Sequence, residues 1–117
     1  MSGTSTFYCE NTILKINNFL SSTIIEPDQD LSIFLEKTFL TTDSRKVSSN
    51  SIFIAIKGAT VDGHDFIKDL PNECICVCQQ GNPATQQIKN QKNLFFVKDT
   101  FSFAQDFAPI FYEISGC

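Results

Sequence analysis

Residues 51–57 read Ser-Ile-Phe-Ile-Ala-Ile-Lys, an almost continuous apolar run rich in β-branched side chains. Such runs are typical of parallel strands, because helices cover both faces of a parallel sheet and leave few polar positions. Residues 74–78 (Cys-Ile-Cys-Val-Cys) and 94–98 (Leu-Phe-Phe-Val-Lys) predict two more strands of this kind, and residues 37–42 also favour a strand. The chain is therefore expected to form a sheet buried inside the domain.

Helical segments flank and separate these strands. Apolar residues at helical spacing predict a helix from Asn11 to about Ser22 and another over Thr100–Ser115, in which Pro109 predicts a kink or a late restart. Strands that alternate with helices predict an α/β fold, here a three-layer sandwich with a mainly parallel or mixed sheet. Three shorter segments carry weaker signals: a helical turn or short strand at 31–36, a short helix at 65–70, and a helical turn or loop at 81–93.

Length and charge limit the possible partners. The chain has 117 residues, of which 42% are hydrophobic, so we expect one domain over residues 11–117 after a flexible start at residues 1–10. Nine basic and thirteen acidic residues give a net charge of -4, which disfavours nucleic acid and anionic membranes as partners. The sequence lacks both a membrane-length apolar run and a signal-peptide pattern, so we expect a cytoplasmic protein with a small-molecule or protein partner.

The spacing of the cysteines indicates a packing role rather than a catalytic or metal-binding one. Cys74, Cys76 and Cys78 alternate along a predicted strand, which places three thiols on one face, and we expect them to be buried and reduced. Cys9 and Cys117 lie near the chain ends. Because the only histidine is His64, paired ligands for a structural metal are lacking and no metal site is expected.

Two polar loops are better candidates for function than any catalytic motif. The sequence contains no phosphate-binding loop, no dinucleotide fingerprint and no zinc-protease motif, so we expect the chain alone to catalyse no reaction. Residues 42–45 (Thr-Asp-Ser-Arg) and 58–64 (Gly-Ala-Thr-Val-Asp-Gly-His) each follow a predicted strand. Ligands of α/β sheets collect at strand ends, so these loops are candidate recognition elements. The alternative is two ordinary surface turns, with Asp43 and Arg45 simply paired.

Three blocks in order resemble the N-terminal domain of Mur ligases, the ATP-dependent amide ligases that build the peptide stem of bacterial peptidoglycan. They are Thr-Thr-Asp-Ser-Arg-Lys-Val at 41–47, Ile-Phe-Ile-Ala-Ile-Lys-Gly at 52–58 and Val-Asp-Gly-His-Asp-Phe-Ile at 61–67. Weaker similarity extends the match from about Asn11 to the end of the chain. The residues of the third block are similar to those of the MurE type, which adds the third residue to the muramoyl-dipeptide. The MurF type is the near alternative.

The resemblance implies that the domain binds the UDP part of UDP-N-acetylmuramoyl-L-Ala-D-Glu. By position it implies that Thr42 lines the uracil pocket, that Ser44 donates a hydroxyl hydrogen bond to the nucleotide, and that residues 59–61 contact it largely through their backbone. The implied substrate-binding residues are Thr42, Ser44, Ala59, Thr60 and Val61. The implied loop-supporting residues are Asp43, Arg45, Asp62, Gly63 and His64.

The resemblance also implies partners outside this chain. A full-length enzyme would use ATP and Mg²⁺, bound by an ATPase domain that continues beyond Cys117, and nothing in this chain is expected to bind either. The sequence departs from the family pattern where Leu70-Pro71 replaces a longer helix ending in Gly-Ala, which predicts a clipped helix. The missing Gly-Ala pair and the unusual residues at 59–61 support a second hypothesis, a non-catalytic interaction or regulatory domain that kept the fold.

Overall fold

The computed structural model describes residues 10–27, 31–88 and 91–116. The strands are β1 (Phe39–Thr41), β2 (Ser51–Ile54), β3 (Ile75–Gln79) and β4 (Asn93–Val97). The α-helices are α1 (Glu10–Thr23), α2 (Pro83–Gln86) and α3 (Thr100–Gly116). Short 3-10 helices span Ser32–Glu36, Ser44–Lys46 and Gly63–Asp69.

The four strands form one sheet in the order β1-β2-β3-β4, and every neighbouring pair is parallel. Crossovers between adjacent parallel strands are almost always right-handed, so successive crossovers in this order fall on the same face of the sheet. Each of the three connections indeed sends an apolar side chain into one cluster on that face: Val47, Ile67 and Ile88. The opposite face is left for α1 and α3, which come before and after the strands.

Alternating strand residues supply two separate cores, one on each face of the sheet. The core beneath the crossovers contains Phe53, Cys76, Cys78, Leu94 and Phe96. The core beneath α1 and α3 contains Ile52, Ile54, Ile75, Val77, Phe95 and Val97. The three-layer α/β sandwich predicted from the sequence is therefore confirmed, with a fully parallel sheet.

Phenylalanine rings on α3 form the centre of the second core. Phe103, Phe107 and Phe111 recur every fourth residue, so they lie on one face of the helix and point towards the sheet. The ring of Phe107 stacks on Phe19 of α1, with centroids 5.7 Å apart, and meets the edge of Phe34. These rings bind the two long helices to each other and to the sheet.

Both edges of the sheet are partly covered. The hydroxyl of Tyr112 on α3 donates to the Leu40 carbonyl oxygen of β1, at 3.1 Å. On the other edge, the Phe96 amide donates to the Glu26 oxygen and the Ile25 amide donates to the Phe96 oxygen, each at 2.7 Å. Backbone groups that would otherwise be open to another strand are thus satisfied within the chain.

The predicted elements were largely confirmed, with changes at their ends. The first helix begins at Glu10, one residue inside the expected flexible start, while residues 1–9 lie outside the described residues. The strand expected over 51–57 ends at Ile54, although the Ala55 amide still donates to the Val77 oxygen of β3 at 2.9 Å. The short helix before Pro71 is a 3-10 helix, as expected for a clipped segment.

Of the two effects predicted at Pro109, the late restart was wrong, because α3 continues through this residue as helix, and the kink stays a prediction. Proline cannot donate to the carbonyl four residues earlier, at Gln105. Both Gln105 and Pro109 are exposed, so water can satisfy that carbonyl and the missing bond need not end the helix.

The expectation of buried, reduced thiols is confirmed for the three strand cysteines. Cys74, Cys76 and Cys78 are free and at most 1% exposed. The pKa of the Cys76 thiol is raised by its hydrogen bond with the Cys74 thiol and by burial. Burial also raises the pKa of Cys78. These two thiols are thus held in the protonated, weakly reactive form. Cys9 and Cys117 lie outside the described residues.

We predict that Phe107→Ala lowers the free energy of unfolding by about 3–5 kcal/mol, because it empties the centre of the helix-covered core. Phe101→Ala on the same helix is the matched control, since the Phe101 side chain is 57% exposed. Urea denaturation followed by circular dichroism measures both variants. Equal losses in the two would contradict the assignment of Phe107 to the core.

Candidate functional site

A cavity of about 550 Å³ lies at the carboxyl ends of β1 and β2. Because these strands are parallel neighbours, the loops that follow them meet at the same edge of the sheet. The cavity is lined by Thr42, Asp43, Ser44, Arg45, Phe53, Ile56, Gly58, Val61, Gly63 and Phe66. The two loops singled out in the sequence therefore form one site with an apolar wall and a polar wall.

The polar wall is built by the loop after β1. The Asp43 carboxylate accepts hydrogen bonds from the Arg45 backbone N–H at 3.0 Å, from Nε at 3.1 Å and from Nη2 at 3.0 Å. The Asp43 amide donates to the Thr41 hydroxyl, also at 3.0 Å. The side-chain and backbone hydrogen bonds from Arg45 lower the pKa of Asp43. The loop thus has a defined conformation before any ligand arrives.

Ser44 and Arg45 present hydrogen-bond donors to this cavity. Within the part of the chain that the structure describes, the Ser44 hydroxyl has no hydrogen-bond partner. The Arg45 side chain is 87% exposed, and its contact with Asp43 uses only some of the five N–H donors of a guanidinium. Both side chains can therefore bind an anionic or polar ligand without breaking an existing contact.

The opposite wall is a tight turn after β2. Lys57 and Asp62 form an antiparallel bridge, and the Gly58 amide donates to the Val61 oxygen at 2.8 Å. Among the described residues, no backbone carbonyl accepts from the amides of residues 59–61, so these N–H groups are available. Val61 is 56% exposed although it is apolar, and it faces the cavity.

Gly63 closes this turn by close backbone approach. Its amide donates to the Ile56 oxygen at 2.9 Å. A Cβ at this position would lie 3.0 Å from the Ile56 nitrogen and 3.2 Å from the Ile56 oxygen. Backbone atoms cannot move aside as a flexible side chain can, so only glycine fits here without a shift of the chain.

Asp62 and His64 lie behind the turn in a hydrogen-bonded network. Asp62 Oδ1 accepts from the His64 backbone amide at 3.0 Å and lies 2.7 Å from His64 Nδ1. Asp62 Oδ2 accepts from the Asn82 side-chain amide at 3.2 Å, and the Gln79 amide donates to His64 Nε2 at 2.9 Å. Burial acts to raise the pKa of Asp62, but the hydrogen bonds from His64 and Asn82 outweigh burial and lower it.

The structure thus separates the predicted site residues into three groups. Six of them line the cavity directly: Thr42, Asp43, Ser44, Arg45, Val61 and Gly63. Ala59 and Thr60 are exposed at the tip of the turn, and Asp62 and His64 support the turn from behind. Sequence analysis missed the apolar wall residues Phe53, Ile56 and Phe66. All three lie in the family blocks at 52–58 and 61–67, but only the tertiary structure shows that their side chains line the cavity.

A second cavity of about 460 Å³ contains none of the predicted site residues. It lies between α1, the end of β4 and α3, and two carboxylates, Asp99 and Asp106, line it. Asp99 also accepts hydrogen bonds from the Phe101 amide and the Ser102 hydroxyl. The two carboxylates outnumber the one cation of the lining, Lys98, and so disfavour an anionic ligand here; the cavity beside Ser44 and Arg45 is the better candidate.

Two further properties of the described residues concern metal-ligand groups and membrane-length helices. Over residues 10–27, 31–88 and 91–116, no three His, Cys, Asp or Glu side chains are grouped so that they could hold a metal ion. None of the described helices is long and apolar enough to cross a membrane.

The fold and cavity together define a parallel α/β domain of the kind that binds ligands at the carboxyl ends of its strands. Residues 36–98 match the family described as "Mur ligase family, catalytic domain". The chain belongs to the Mur ligase family.

Curated relatives carry the names of amino-acid ligases. The chain is 35% identical over 74 residues to "UDP-N-acetylmuramoyl-L-alanyl-D-glutamate--2,6-diaminopimelate ligase" of Rickettsia typhi. The matched stretch covers 62% of this chain and 14% of the relative. It is 35% identical over 72 residues to "UDP-N-acetylmuramyl-tripeptide synthetase 2" of Oceanobacillus iheyensis, 61% of this chain and 14% of the relative.

A relative with a different amino acid in its name matches equally well. The chain is 36% identical over 76 residues to "UDP-N-acetylmuramoyl-L-alanyl-D-glutamate--L-lysine ligase" of Staphylococcus haemolyticus, 65% of this chain and 15% of the relative. The chain thus spans about one seventh of the length of the curated relatives that it matches. No solved structure matches it significantly.

We predict that Gly63→Ala lowers the free energy of unfolding by about 1–3 kcal/mol, because the new methyl group meets the Ile56 backbone. Thr60→Ala, at the exposed tip of the same turn, should change it by less than about 0.5 kcal/mol. Chemical denaturation of both variants measures the difference. A Gly63→Ala variant as stable as Thr60→Ala would show that the turn accommodates a side chain.

Proposed function

We propose that this chain is the UDP-binding domain of a MurE-type amide ligase, and that its cavity holds the UDP part of UDP-N-acetylmuramoyl-L-Ala-D-Glu. The observation that carries this proposal is the single cavity lined by residues 42–45 of one loop and by Gly58 and Val61 of the other. These are the two segments in which the family resemblance implies substrate contact. Residues far apart in sequence thus meet where one nucleotide could touch both.

The chemistry of the cavity suits a nucleoside diphosphate. Its apolar wall, which includes Val61 and Phe66, can pack against the flat uracil base. The Ser44 hydroxyl and the free amides of residues 59–61 can donate to polar atoms of the nucleotide. The exposed guanidinium of Arg45 can form charge-assisted hydrogen bonds with phosphate oxygens.

The names of the relatives favour the dipeptide form of the substrate. Two of the three relatives described above carry "UDP-N-acetylmuramoyl-L-alanyl-D-glutamate" in their names, and they differ in the amino acid that follows. We therefore favour the MurE type over the MurF type and leave the added amino acid open. ATP, Mg²⁺ and a cytoplasmic location belong to this proposal for the whole ligase. Among the described residues no three His, Cys, Asp or Glu side chains are grouped so that they could hold a metal ion, and no catalytic step is assigned to this chain.

An amide-resolved NMR titration tests the proposal. We expect UDP and UDP-N-acetylmuramoyl-L-Ala-D-Glu to shift the amide signals of residues 42–45 and 58–63 in the ¹⁵N-labelled chain. Inosine diphosphate serves as the control, because it carries the same two phosphates on a larger base. Equal shifts with UDP and with inosine diphosphate would show that the site recognises only the phosphates and not the uracil base. A folded protein whose spectrum does not change with any of them would favour the interaction-domain hypothesis.

We predict that Ser44→Ala weakens UDP binding by roughly fivefold, the equivalent of about 1 kcal/mol for one lost hydrogen bond. Stability should stay within about 0.5 kcal/mol, because the hydroxyl has no partner among the described residues. Ser21→Ala, an exposed serine on α1, is the matched control and should bind as the unaltered chain does. Unchanged affinity in Ser44→Ala would remove this serine from the site.

A further inference from the structure

His64, the only histidine of the chain, is buried and hydrogen-bonded through both ring nitrogens. The Gln79 backbone N–H lies 2.9 Å from Nε2. Because a backbone N–H can only donate, Nε2 must accept and carries no proton. The proton of the neutral ring is therefore on Nδ1, which donates to Asp62 Oδ1 at 2.7 Å. The geometry selects a single tautomer.

This ring joins three parts of the chain that are distant in sequence. Gln79 is the last residue of β3, and Asp62 ends the turn after β2. Asp62 also accepts from the side chain of Asn82, whose own carbonyl oxygen accepts from the Ala84 amide at the start of α2. His64 thus ties the turn to the centre of the sheet and to the next connection.

The apolar wall of the candidate site is attached to this network. Val61 directly precedes Asp62, and Phe66 lies on the 3-10 helix whose first amides Asp62 caps. Both side chains line the cavity, although they are 56% and 40% exposed. Their exposure means that little other packing holds them, so their position depends on the backbone to which Asp62 and His64 are bonded.

We propose that His64 is a positioning residue of this site, and that only its neutral Nδ1–H form holds the Val61–Phe66 wall in the ligand-binding position. A second proton on Nε2 would face the Gln79 N–H, so two donors would meet in a buried site and their hydrogen bond would be lost. Ligand affinity should therefore fall as His64 becomes protonated. The inference rests on the proposed function.

Asp62 is the charged group in direct contact with the His64 ring. Its carboxylate contacts Nδ1–H in either protonation state, so that bond survives protonation while the bond to Gln79 does not. Asp65 and Lys68, on the same 3-10 helix, line a small cavity with the ring. The described residues that face it from β3, from α2 and from the two positions after α2 are uncharged: Gln79, Ala84, Gln87 and Ile88.

The affinity for UDP-N-acetylmuramoyl-L-Ala-D-Glu, measured by calorimetry between about pH 8 and pH 5.5, tests the proposal. This ligand is chosen because both of its phosphates are esterified, so its diphosphate charge does not change over that range. We expect the affinity of the unaltered chain to fall towards acid, and by a larger factor than in a variant whose residue 64 cannot take up a proton. In His64→Gln the side-chain oxygen can accept from Gln79 but takes up no proton, so we expect a change of less than about twofold.

The variant His64→Leu and a measurement without ligand distinguish a purely structural effect of residue 64 from the effect of its protonation. Leucine fills the space without either polar atom, so weaker binding than in His64→Gln at every pH is expected. In the unliganded chain, ¹⁵N NMR of the ring should report the Nδ1–H tautomer. The amide signals of Gln79, Val61 and Phe66 should then shift together with the ring as it is protonated.

The possible failures are distinguishable. If the ligand binds and the affinities of the unaltered chain and His64→Gln change in parallel with pH, the inference is wrong and the proposed function stands. Ring protonation that leaves the amides of Gln79, Val61 and Phe66 unchanged would also overturn the inference. If no ligand binds at any pH while these amides follow the ring, the proposed function fails, and His64 still positions the wall.

Discussion

The structure depends on one constraint: four parallel strands that are adjacent in space in the same order as in the chain. Right-handed crossovers then have to lie on one face, and the two long helices have to cover the other. The same order brings the carboxyl ends of β1 and β2 side by side. The position of the candidate site is therefore a consequence of strand order, as are the two separate cores.

The same hydrogen-bonding motif recurs after each strand, at the edge of the sheet formed by the carboxyl ends of the strands. An aspartate or asparagine side chain accepts the backbone N–H of the residue two positions later and begins the next helical segment. It is found after every strand, at Asp43, Asp62, Asn82 and Asp99. Such a side chain satisfies amides that the first turn of a helix leaves unpaired. These caps keep the connections short and stiff, which places the polar groups of the cavity accurately.

The cavity combines this local order with exposed apolar side chains. Asp43 and Asp62 are already engaged in hydrogen bonds, which lower the pKa of both, so their negative charges are partly compensated before a ligand binds. The groups left available are hydroxyl, amide and guanidinium donors beside Val61 and Phe66. A site made of uncompensated donors and an apolar wall favours an anionic ligand with a flat ring, which is why we propose a nucleotide.

The sequence by itself determined the type of the four strands and of the two long helices, and it singled out the two loops of the candidate site. Ser51–Ile54 could be predicted because burial on both faces leaves a continuous apolar run, and Thr42–Arg45 because short polar residues at a strand end form caps. Only the tertiary structure decided that the two loops share one cavity, that Phe66 belongs to its wall, and that His64 bonds to Gln79. These contacts join residues from different connections, so they depend on strand order and register, whereas sequence patterns report only each segment's own burial and backbone preference.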